Sequence, residues 1–167
     1  MTVADGDHTA RAQGLLEELL TRMGVEARVA QRPQPASAEG INTPSPILDV
    51  TGDDLGLLIG WRGETLRAIQ TVLNLMMGDD QRRDRRVIID VERYRARRED
   101  QVRDLAVRMA DRVKRTGQRH ILDPMHGYER RVVHLILQGD PGVRTESVGR
   151  EPGRRVVISP SEPAGAD

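Results

Sequence analysis

Cysteine and phenylalanine are absent from this 167-residue sequence, and the other aromatic residues are scarce, with one tryptophan and two tyrosines. Without cysteine there is no disulfide framework, no thiolate metal site and no cysteine nucleophile. No run approaches the roughly 18 apolar residues of a membrane-spanning helix, and the first eight residues are acidic and polar, unlike a secretion signal. We therefore expect a soluble, cytoplasmic protein that does not insert into a membrane.

The sequence also lacks the motifs of the enzyme classes that its glycines and histidines could suggest. No glycine-rich stretch has the Gly-x-x-x-x-Gly-Lys-Ser/Thr pattern of a phosphate-handling loop. His120, His126 and His134 fit no common spacing of metal ligands, and no clustered carboxylates accompany them. We therefore expect no catalytic activity, no metal and no cofactor.

The sequence also has no excess of positive or negative charge, since its 26 basic and 26 acidic side chains cancel. Their distribution is uneven, because residues 1–54 carry a net charge of −5 while residues 82–119 carry a net charge of +7. A polyanion responds to the local field rather than to the total charge. The middle of the chain is therefore a candidate nucleic-acid contact despite the neutral whole.

The most informative stretch is the turn formed by Gly60, Trp61, Arg62 and Gly63. A short helical pattern over residues 53–59 precedes it, and an amphipathic helical pattern over residues 64–77 follows it. Glycines allow a tight reversal and a close backbone approach, and a helix that starts after them directs free N–H groups at a ligand. A phosphate backbone is the ligand that suits such a turn best.

A second Gly-x-x-Gly pattern shows that spacing alone does not identify such a site. Gly139 and Gly142 enclose an aspartate and a proline and lie between a helical and a strand pattern, so they predict an ordinary turn. The alternative for Gly60 and Gly63 is likewise a helical corner whose glycines serve only packing, with Trp61 in the core.

Apolar patterning around the first turn predicts a complete small domain. The predicted elements are a helix over 9–23, strands over 25–30 and 47–50, the two helices beside the turn, and a strand over 87–91. Loops are predicted over 32–46 and 78–86. This order, with its Gly-x-x-Gly turn between the second and third helices, resembles the type II KH domain over residues 9–91.

The KH resemblance implies roles for particular residues. In that family the turn grips the backbone of about four unpaired nucleotides while bases lie in an apolar groove. The clamp would be Gly60, Trp61, Arg62 and Gly63, and the groove would include Ile59, Leu66 and Ile69. Trp61 stands where the family often has a basic residue. Its indole could stack on a base or sugar, or it could face a protein partner.

An arginine-rich helix is predicted over residues 92–116. Its cluster of Arg93, Arg95, Arg97 and Arg98 is a candidate contact for a nucleic-acid strand. The alternative is a solvated face with ion pairs along the helix, such as Glu99 with Arg103.

The last third of the chain predicts a short strand over 118–122, a helix that ends at Gln138, and strands over 143–148 and 155–159. One face of the helix carries Arg130, Arg131, His134 and Gln138. The Arg-x-x-x-His pattern in this setting resembles the R-3-H domain, a small nucleic-acid-binding domain, over residues 92–160. In the alternative, Arg130 pairs with Asp123 or Glu129 and His134 only covers the domain surface.

The two domains in this order resemble the bacterial Jag family, the SpoIIIJ-associated proteins. Many members carry a further small N-terminal domain, which we expect to be absent because the chain starts close to the first KH helix. The resemblance implies a cytoplasmic RNA-binding regulator acting after transcription, linked to cell envelope growth and division, with a small single-KH protein as a partner.

We therefore predict an α+β protein of two small domains: a type II KH domain, with helices on a three-stranded sheet, and an R-3-H domain, with two helices on a short three-stranded sheet. The boundaries are a tail over 1–8, domains over 9–91 and 92–160, and a tail over 161–167. The expected ligand is single-stranded RNA, and single-stranded DNA and the oligomeric state stay open. The alternative function is a protein-interaction adaptor that uses the Trp61 loop and binds little or no RNA.

Overall fold

Residues up to Arg95 form one structural unit, and residues from Ala96 onward form another. The structure is a computed structural model that describes residues 3–32, 46–78 and 87–161. The loops predicted over 32–46 and 78–86 and the tail predicted over 161–167 therefore lie almost entirely outside the described residues.

The described part of the first unit contains helices on one three-stranded sheet. The elements are α1 (Val3–Arg22), β1 (Arg28–Arg32), β2 (Ile47–Thr51), α2 (Gly56–Ile59), α3 (Glu64–Met76) and β3 (Ile88–Val91). In the sheet, β2 lies between an antiparallel β1 and a parallel β3. Parallel neighbours need a long crossover, and α2 and α3 lie within it. The Gly60–Gly63 loop, which includes a 3-10 turn over Trp61–Gly63, thus joins the two helices of this crossover.

The core of the first unit joins the helices to the sheet. Leu16 of α1, Leu48 of β2 and Leu73 of α3 are fully buried. On α3 the buried positions Leu66, Ile69 and Leu73 are three or four residues apart, so one stripe of the helix faces the core. Burial of each such side chain contributes about 1.5–3 kcal/mol, which fixes α3 and therefore the loop that precedes it.

Among the described residues of the first unit, side chains and not a further strand cover the edge of β3 that faces away from β2. The Gln70 amide donates from Nε2 to Val87 O (2.6 Å), and its Oε1 accepts from the backbone N–H of Ile89 (2.7 Å). Nε of Arg95 donates to Ile89 O at 3.0 Å. These backbone groups of β3 thus find partners on α3 and at the start of the next helix.

A charged network links the three strands of the first sheet. Arg32 on β1 forms ion pairs with Asp49 on β2 and with Asp90 on β3, the latter at 2.8 Å. The hydrogen bond to Asp49 raises the pKa of the Arg32 guanidinium above its usual range, against the opposing effect of burial. Asp90 is only 2% exposed, so its charge is stabilised by Arg32 and by the backbone N–H of Arg95.

The second unit packs two helices on another three-stranded sheet. Its elements are α4 (Tyr94–Thr116), which begins at the end of the first unit, β4 (His120–Ile121), α5 (Gly127–Leu137), β5 (Val143–Val148) and β6 (Arg155–Pro160). The strand order is β4-β6-β5, and both pairs are antiparallel. Val113 of α4, Val133 of α5 and Ile158 of β6 are fully buried in its separate core. The α+β architecture predicted from the sequence is therefore confirmed.

Several predicted boundaries differ from the structure by a few residues, and two of them belong to the first elements of the chain. The first helix begins at Val3, inside the stretch predicted as a tail, and Thr9 is buried within it instead of starting it. The first strand starts at Arg28 rather than at residue 25. The reason for the second difference is the end of α1, where Gly24 is left-handed and its N–H donates to Thr21 O. The N–H of Val25 donates to Leu20 O, which completes a Schellman cap and delays the strand.

Candidate nucleic-acid interface

The Gly60–Gly63 loop is built on backbone angles that few residues other than glycine adopt. Gly60 has φ 68° and ψ −173°, a combination essentially restricted to glycine, and Gly63 is left-handed with φ 79°. Arg62 is also left-handed, with φ 49°. The chain therefore reverses sharply here, and Trp61 lies on the surface with 72% of its area exposed.

Steric contacts also favour glycine at both ends of the loop. A Cβ on Gly60 would lie 2.9 Å from Cβ and 3.0 Å from the backbone N of Thr65. A Cβ on Gly63 would lie 2.8 Å from Cε1 of Tyr94. Neither position has room for a side chain, so both ends of the loop require glycine, and Gly63 is itself buried where the loop leads into the 13-residue α3.

Two arginines and one tyrosine support the loop. The Arg62 guanidinium lies over the Trp61 ring, 5.2 Å from its centroid, at a distance typical of a cation–π contact. Nη1 of Arg67 donates to Arg62 O at 3.1 Å, and Tyr94 packs on Gly63. Sequence reasoning missed Arg67 and Tyr94. The helical period could have identified Arg67, which follows Gly63 by four residues, but no local signal brings Tyr94 to the loop.

The three predicted groove residues lie in different environments. Leu66 and Ile69 are 2% and 6% exposed and belong to the core of the first unit, whereas Ile59 is partly buried at its margin. Leu66 and Ile69 therefore support α3 from below and are not surface groups in this structure. An exposed leucine, Leu57 on α2, lies nearby in sequence and is 71% exposed.

Two of the four arginines in the predicted basic cluster, Arg95 and Arg98, contact other elements of the protein, although Arg95 is exposed and Arg98 is half-buried. Arg95 contacts the edge of β3, and Nε of Arg98 forms an ion pair of 2.6 Å with Glu129. Arg93 and Arg97 are exposed. Arg93 has a positive φ and precedes α4, so the four side chains do not form one continuous stripe along the helix.

The second candidate site is an open depression of about 530 Å³ between α5 and β5 in the second unit. All four residues predicted for this face line it, namely Arg130, Arg131, His134 and Gln138. Thr145 and Ser147 of β5 and Arg154, which precedes β6, complete the polar part of the lining. The structure thus brings the predicted residues together and adds a third arginine.

Arg130 is a buried member of this depression, with 7% of its area exposed. Its Nη1 donates to Met125 O, and its Nη2 donates to the Glu151 carboxylate, both at 2.7 Å. The hydrogen bond from Arg130 lowers the pKa of Glu151. The carboxylate partner is thus Glu151, whereas the sequence alternative named Asp123 or Glu129. The role of this guanidinium in the fold is to join α5 to the turn between β5 and β6.

His134 is held between two hydroxyl groups. Its Nδ1 is 2.7 Å from Oγ1 of Thr145, and its Nε2 is 2.8 Å from Oγ of Ser147. Burial, followed by the positive charges of Arg130 and Arg154, lowers the pKa of the imidazole. The ring is therefore neutral at pH 7, and we expect it to orient hydroxyls and bind through hydrogen bonds rather than through charge.

Arg154 is the lining residue that sequence reasoning missed, although a signal was present. Residues 154, 156 and 158 share one face of a strand, and Val156 and Ile158 are completely buried. Arg154 therefore extends the helix-covered face of β6 beyond the end of the sheet. It is exposed, as is Arg131 on α5, so these two guanidinium groups are the accessible cations of the depression.

The described residues contain neither a membrane-spanning helix nor a cluster of potential metal ligands. None of their helices is both long enough and apolar enough to cross a membrane. Within the same residues, no three His, Cys, Asp or Glu side chains come together as potential metal ligands.

Comparisons with known proteins agree with this division of the chain. A KH domain family described as that of KhpA and KhpB matches residues 15–91, and the R-3-H domain family matches residues 100–160. The relatives include the RNA-binding protein KhpB of Clostridium symbiosum, 44% identical over 112 residues, and that of Bacillus subtilis, 36% identical over 112 residues. The protein of the same name from Streptococcus pneumoniae is 32% identical over 117 residues.

These alignments cover 67%, 66% and 70% of the chain, and 50%, 54% and 36% of the respective relatives. The chain thus spans about half the length of the first two. With a KH domain followed by an R-3-H domain, it belongs to the Jag family, the family of the KhpB proteins.

Proposed function

We propose that this chain is a non-catalytic protein that binds single-stranded RNA and that the Gly60–Gly63 loop is its main backbone clamp. The observation that carries the proposal is the loop itself, a glycine turn that presents Trp61 to solvent at the start of an amphipathic helix. The relatives' name, RNA-binding protein, supports the same conclusion. A phosphate group at the loop would meet backbone N–H groups and the positive end of the α3 dipole.

Two cations would strengthen that clamp. Arg62 lies in the loop, and Arg67 donates to the loop carbonyl from one turn into α3. Guanidinium groups beside a phosphate bound at the loop would add electrostatic attraction, which weakens as the salt concentration rises. Trp61 then replaces the basic residue that many KH loops have, while Arg62 and Arg67 retain positive charge.

The depression of the second unit would hold a second segment of RNA. We assign phosphate contacts to Arg131 and Arg154, and hydrogen bonds to Gln138 and to the hydroxyls beside His134. Arg130 would act indirectly, because its ion pair with Glu151 positions the turn that carries Arg154. Arg93 and Arg97 are further candidate contacts through their exposed side chains.

The cellular role follows from the family resemblance. We propose a cytoplasmic regulator that acts after transcription and is linked to cell envelope growth and division. Because the matching KH family is named for KhpA and KhpB together, we also propose a small single-KH protein as its partner. Single-stranded DNA is a competing ligand that the binding experiment below includes.

A protein-interaction adaptor is the second candidate function. The observation that favours it is the exposure of Trp61 and Leu57, which are 72% and 71% exposed on consecutive elements of the first unit. Large exposed apolar side chains often anchor a protein partner. Such an interface would respond little to salt, whereas phosphate contacts would respond strongly.

The test is the affinity of the purified chain for a labelled single-stranded RNA of about 20 nucleotides, measured by fluorescence anisotropy at low and moderate salt. We expect Arg62→Ala to weaken binding and to reduce the slope of log affinity against log salt by about one. Arg22→Ala, a change at an exposed arginine of α1 in the acidic part of the chain, is the matched control. Failure of the wild type to bind RNA at low salt would refute the proposal. Tighter binding to single-stranded DNA of the same sequence would mean that DNA is the preferred ligand.

The neighbours Arg130 and Arg131 separate structural from direct roles. Arg131→Ala should weaken RNA binding without changing the thermal unfolding temperature, since Arg131 is exposed. Arg130→Ala should lower that temperature by several degrees, because it leaves Met125 O and Glu151 without their buried donor. Unaltered stability in Arg130→Ala, together with a loss of affinity, would make Arg130 a direct contact.

A further inference from the structure

Trp61 is exposed, and the residues around it also hold it in a defined arrangement. Single exposed apolar residues are common on protein surfaces and need no special account. At this position, however, a guanidinium lies over the ring of the chain's only tryptophan, 5.2 Å from the centroid. The neighbouring residues are held in left-handed backbone conformations, and Arg67 fixes the carbonyl of Arg62. The indole is therefore presented on a structured loop.

The arrangement favours a ligand that combines a flat aromatic surface with negative charge. Arg62 covers part of one face of the indole, and 72% of the residue is open to solvent. A purely aliphatic partner would use the ring but would leave Arg62 and Arg67 beside apolar groups. An unpaired nucleobase with its phosphate suits both parts, since the base stacks on the ring and the phosphate lies near the cations.

We propose that Trp61 is a stacking platform for one unpaired base and that Arg62 orients its ring. The inference rests on the proposed RNA function and deepens it by assigning a base contact to the loop that grips the backbone. Bases inside a duplex have both faces covered, so the platform selects unpaired strands. It uses a π face and no hydrogen-bonding edge, so it discriminates little between the four bases.

Because Trp61 is the only tryptophan, intrinsic fluorescence reports on this position alone. The full chain is titrated with an unlabelled mixed-sequence RNA of about 20 nucleotides, and binding of the same RNA carrying a label is followed by anisotropy. We expect the tryptophan emission to be quenched in parallel with binding. A duplex of the same sequence should give little quenching.

Substitutions distinguish stacking from general apolar contact. Trp61→Ala should weaken binding about 5- to 160-fold, which corresponds to the loss of one stacked base, and Trp61→Phe should keep most of the affinity. The salt slope of Trp61→Ala should equal that of the wild type, because no phosphate contact is removed. Leu75→Ala is the control, since Leu75 is 75% exposed at the opposite end of α3 and should leave the affinity unchanged.

The outcomes separate this inference from the function on which it rests. Binding seen by anisotropy, with no change in tryptophan emission and with normal affinity in Trp61→Ala, would overturn the stacking platform and leave the RNA function intact. Absence of binding at low salt would overturn both. A reduced salt slope in Trp61→Ala would mean that the residue acts by positioning Arg62, which would also contradict direct stacking.

Discussion

At the scale of single residues, Gly60 illustrates how one side chain's absence determines a site. Its φ and ψ lie in a region that costs other residues about 1–3 kcal/mol, and a Cβ would collide with Thr65 in the first turn of α3. The loop conformation and the start of α3 therefore both require that residue 60 has no Cβ.

We expect Gly60→Ala to lower the free energy of unfolding by about 2 kcal/mol and to weaken RNA binding, since both the strain and the collision fall on the loop. Gly56→Ala is the matched control, because no heavy atom lies within 4 Å of a Cβ at that helical position, and it should leave stability equal or slightly higher. Chemical denaturation of both variants measures the change in the free energy of unfolding. Equal effects at the two positions would contradict the assigned geometry.

At the residue scale, His134 makes the free energy of unfolding depend on pH. Its pKa in the folded chain is lowered from 6.5, mainly by burial and then by Arg130 and Arg154. The unfolded chain therefore binds more protons in the range just below pH 6.5, so stability is present above this pH and is lost as pH falls towards the folded pKa. The hydroxyls of Thr145 and Ser147 do not titrate there and add no opposing effect.

We expect the free energy of unfolding to decrease between pH 7.5 and pH 5 in the wild type, and to decrease less in His134→Gln, which removes this titration. Denaturation with urea at several pH values checks the difference between the two curves. A wild-type curve that runs parallel to that of His134→Gln would show that the imidazole does not carry the dependence.

At the scale of elements, α3 is bound to the sheet by polar as well as apolar contacts. Gln70 satisfies Val87 O and the N–H of Ile89, while Leu66, Ile69 and Leu73 fill the core beneath the helix. Removing the amide would leave two backbone groups of β3 without their partner, and such groups are costly when shielded from water.

We expect Gln70→Leu to reduce the free energy of unfolding by about 2 kcal/mol, with the first unit affected. Gln101→Leu, at an exposed position of α4, serves as the control and should change stability by less than about 0.5 kcal/mol. Hydrogen exchange at Ile89 should speed up only in Gln70→Leu. Protection of that amide in the variant would mean that another group replaces Gln70.

The sequence allowed the elements to be predicted better than the contacts between them. Periodic apolar residues identified α3 and α5, and Arg-x-x-x-His identified the face of α5 that lines the depression of the second unit. Local patterns contain no information on partners distant in the chain, so the packing of Tyr94 on Gly63 and the pairing of Arg130 with Glu151 could not be foreseen. Leu66 and Ile69 were assigned to a groove by the KH resemblance, and the helical spacing of apolar residues does not tell whether the core or a ligand covers them.

At the scale of the whole molecule, each of the two units contains one candidate RNA contact and its own core. A chain with two weak sites gains affinity for any strand long enough to occupy both, because the second contact becomes intramolecular. Neutral total charge is compatible with this, since the cations that we assign to the sites are local.

We expect the wild type to bind an RNA of about 20 nucleotides at least 10-fold more tightly than one of about 6 nucleotides. The double variant Arg131→Ala/Arg154→Ala should lose most of this length dependence while keeping its affinity for the short strand. Anisotropy titrations with the two lengths measure both quantities. Equal affinity of the wild type for the two strands would mean that only one site is used.

The side-chain cover on β3 also has a consequence for how copies of this protein behave together. A strand edge with unpaired N–H and C=O groups is a template on which another molecule can add a strand and begin a polymer. Here Gln70 and Arg95 occupy the groups of Val87 and Ile89 that such a strand would need. Gln70 of α3 and Arg95 of α4 thus occupy part of this edge, and we expect α3, which positions the glycine loop, also to oppose the addition of a further strand to the sheet.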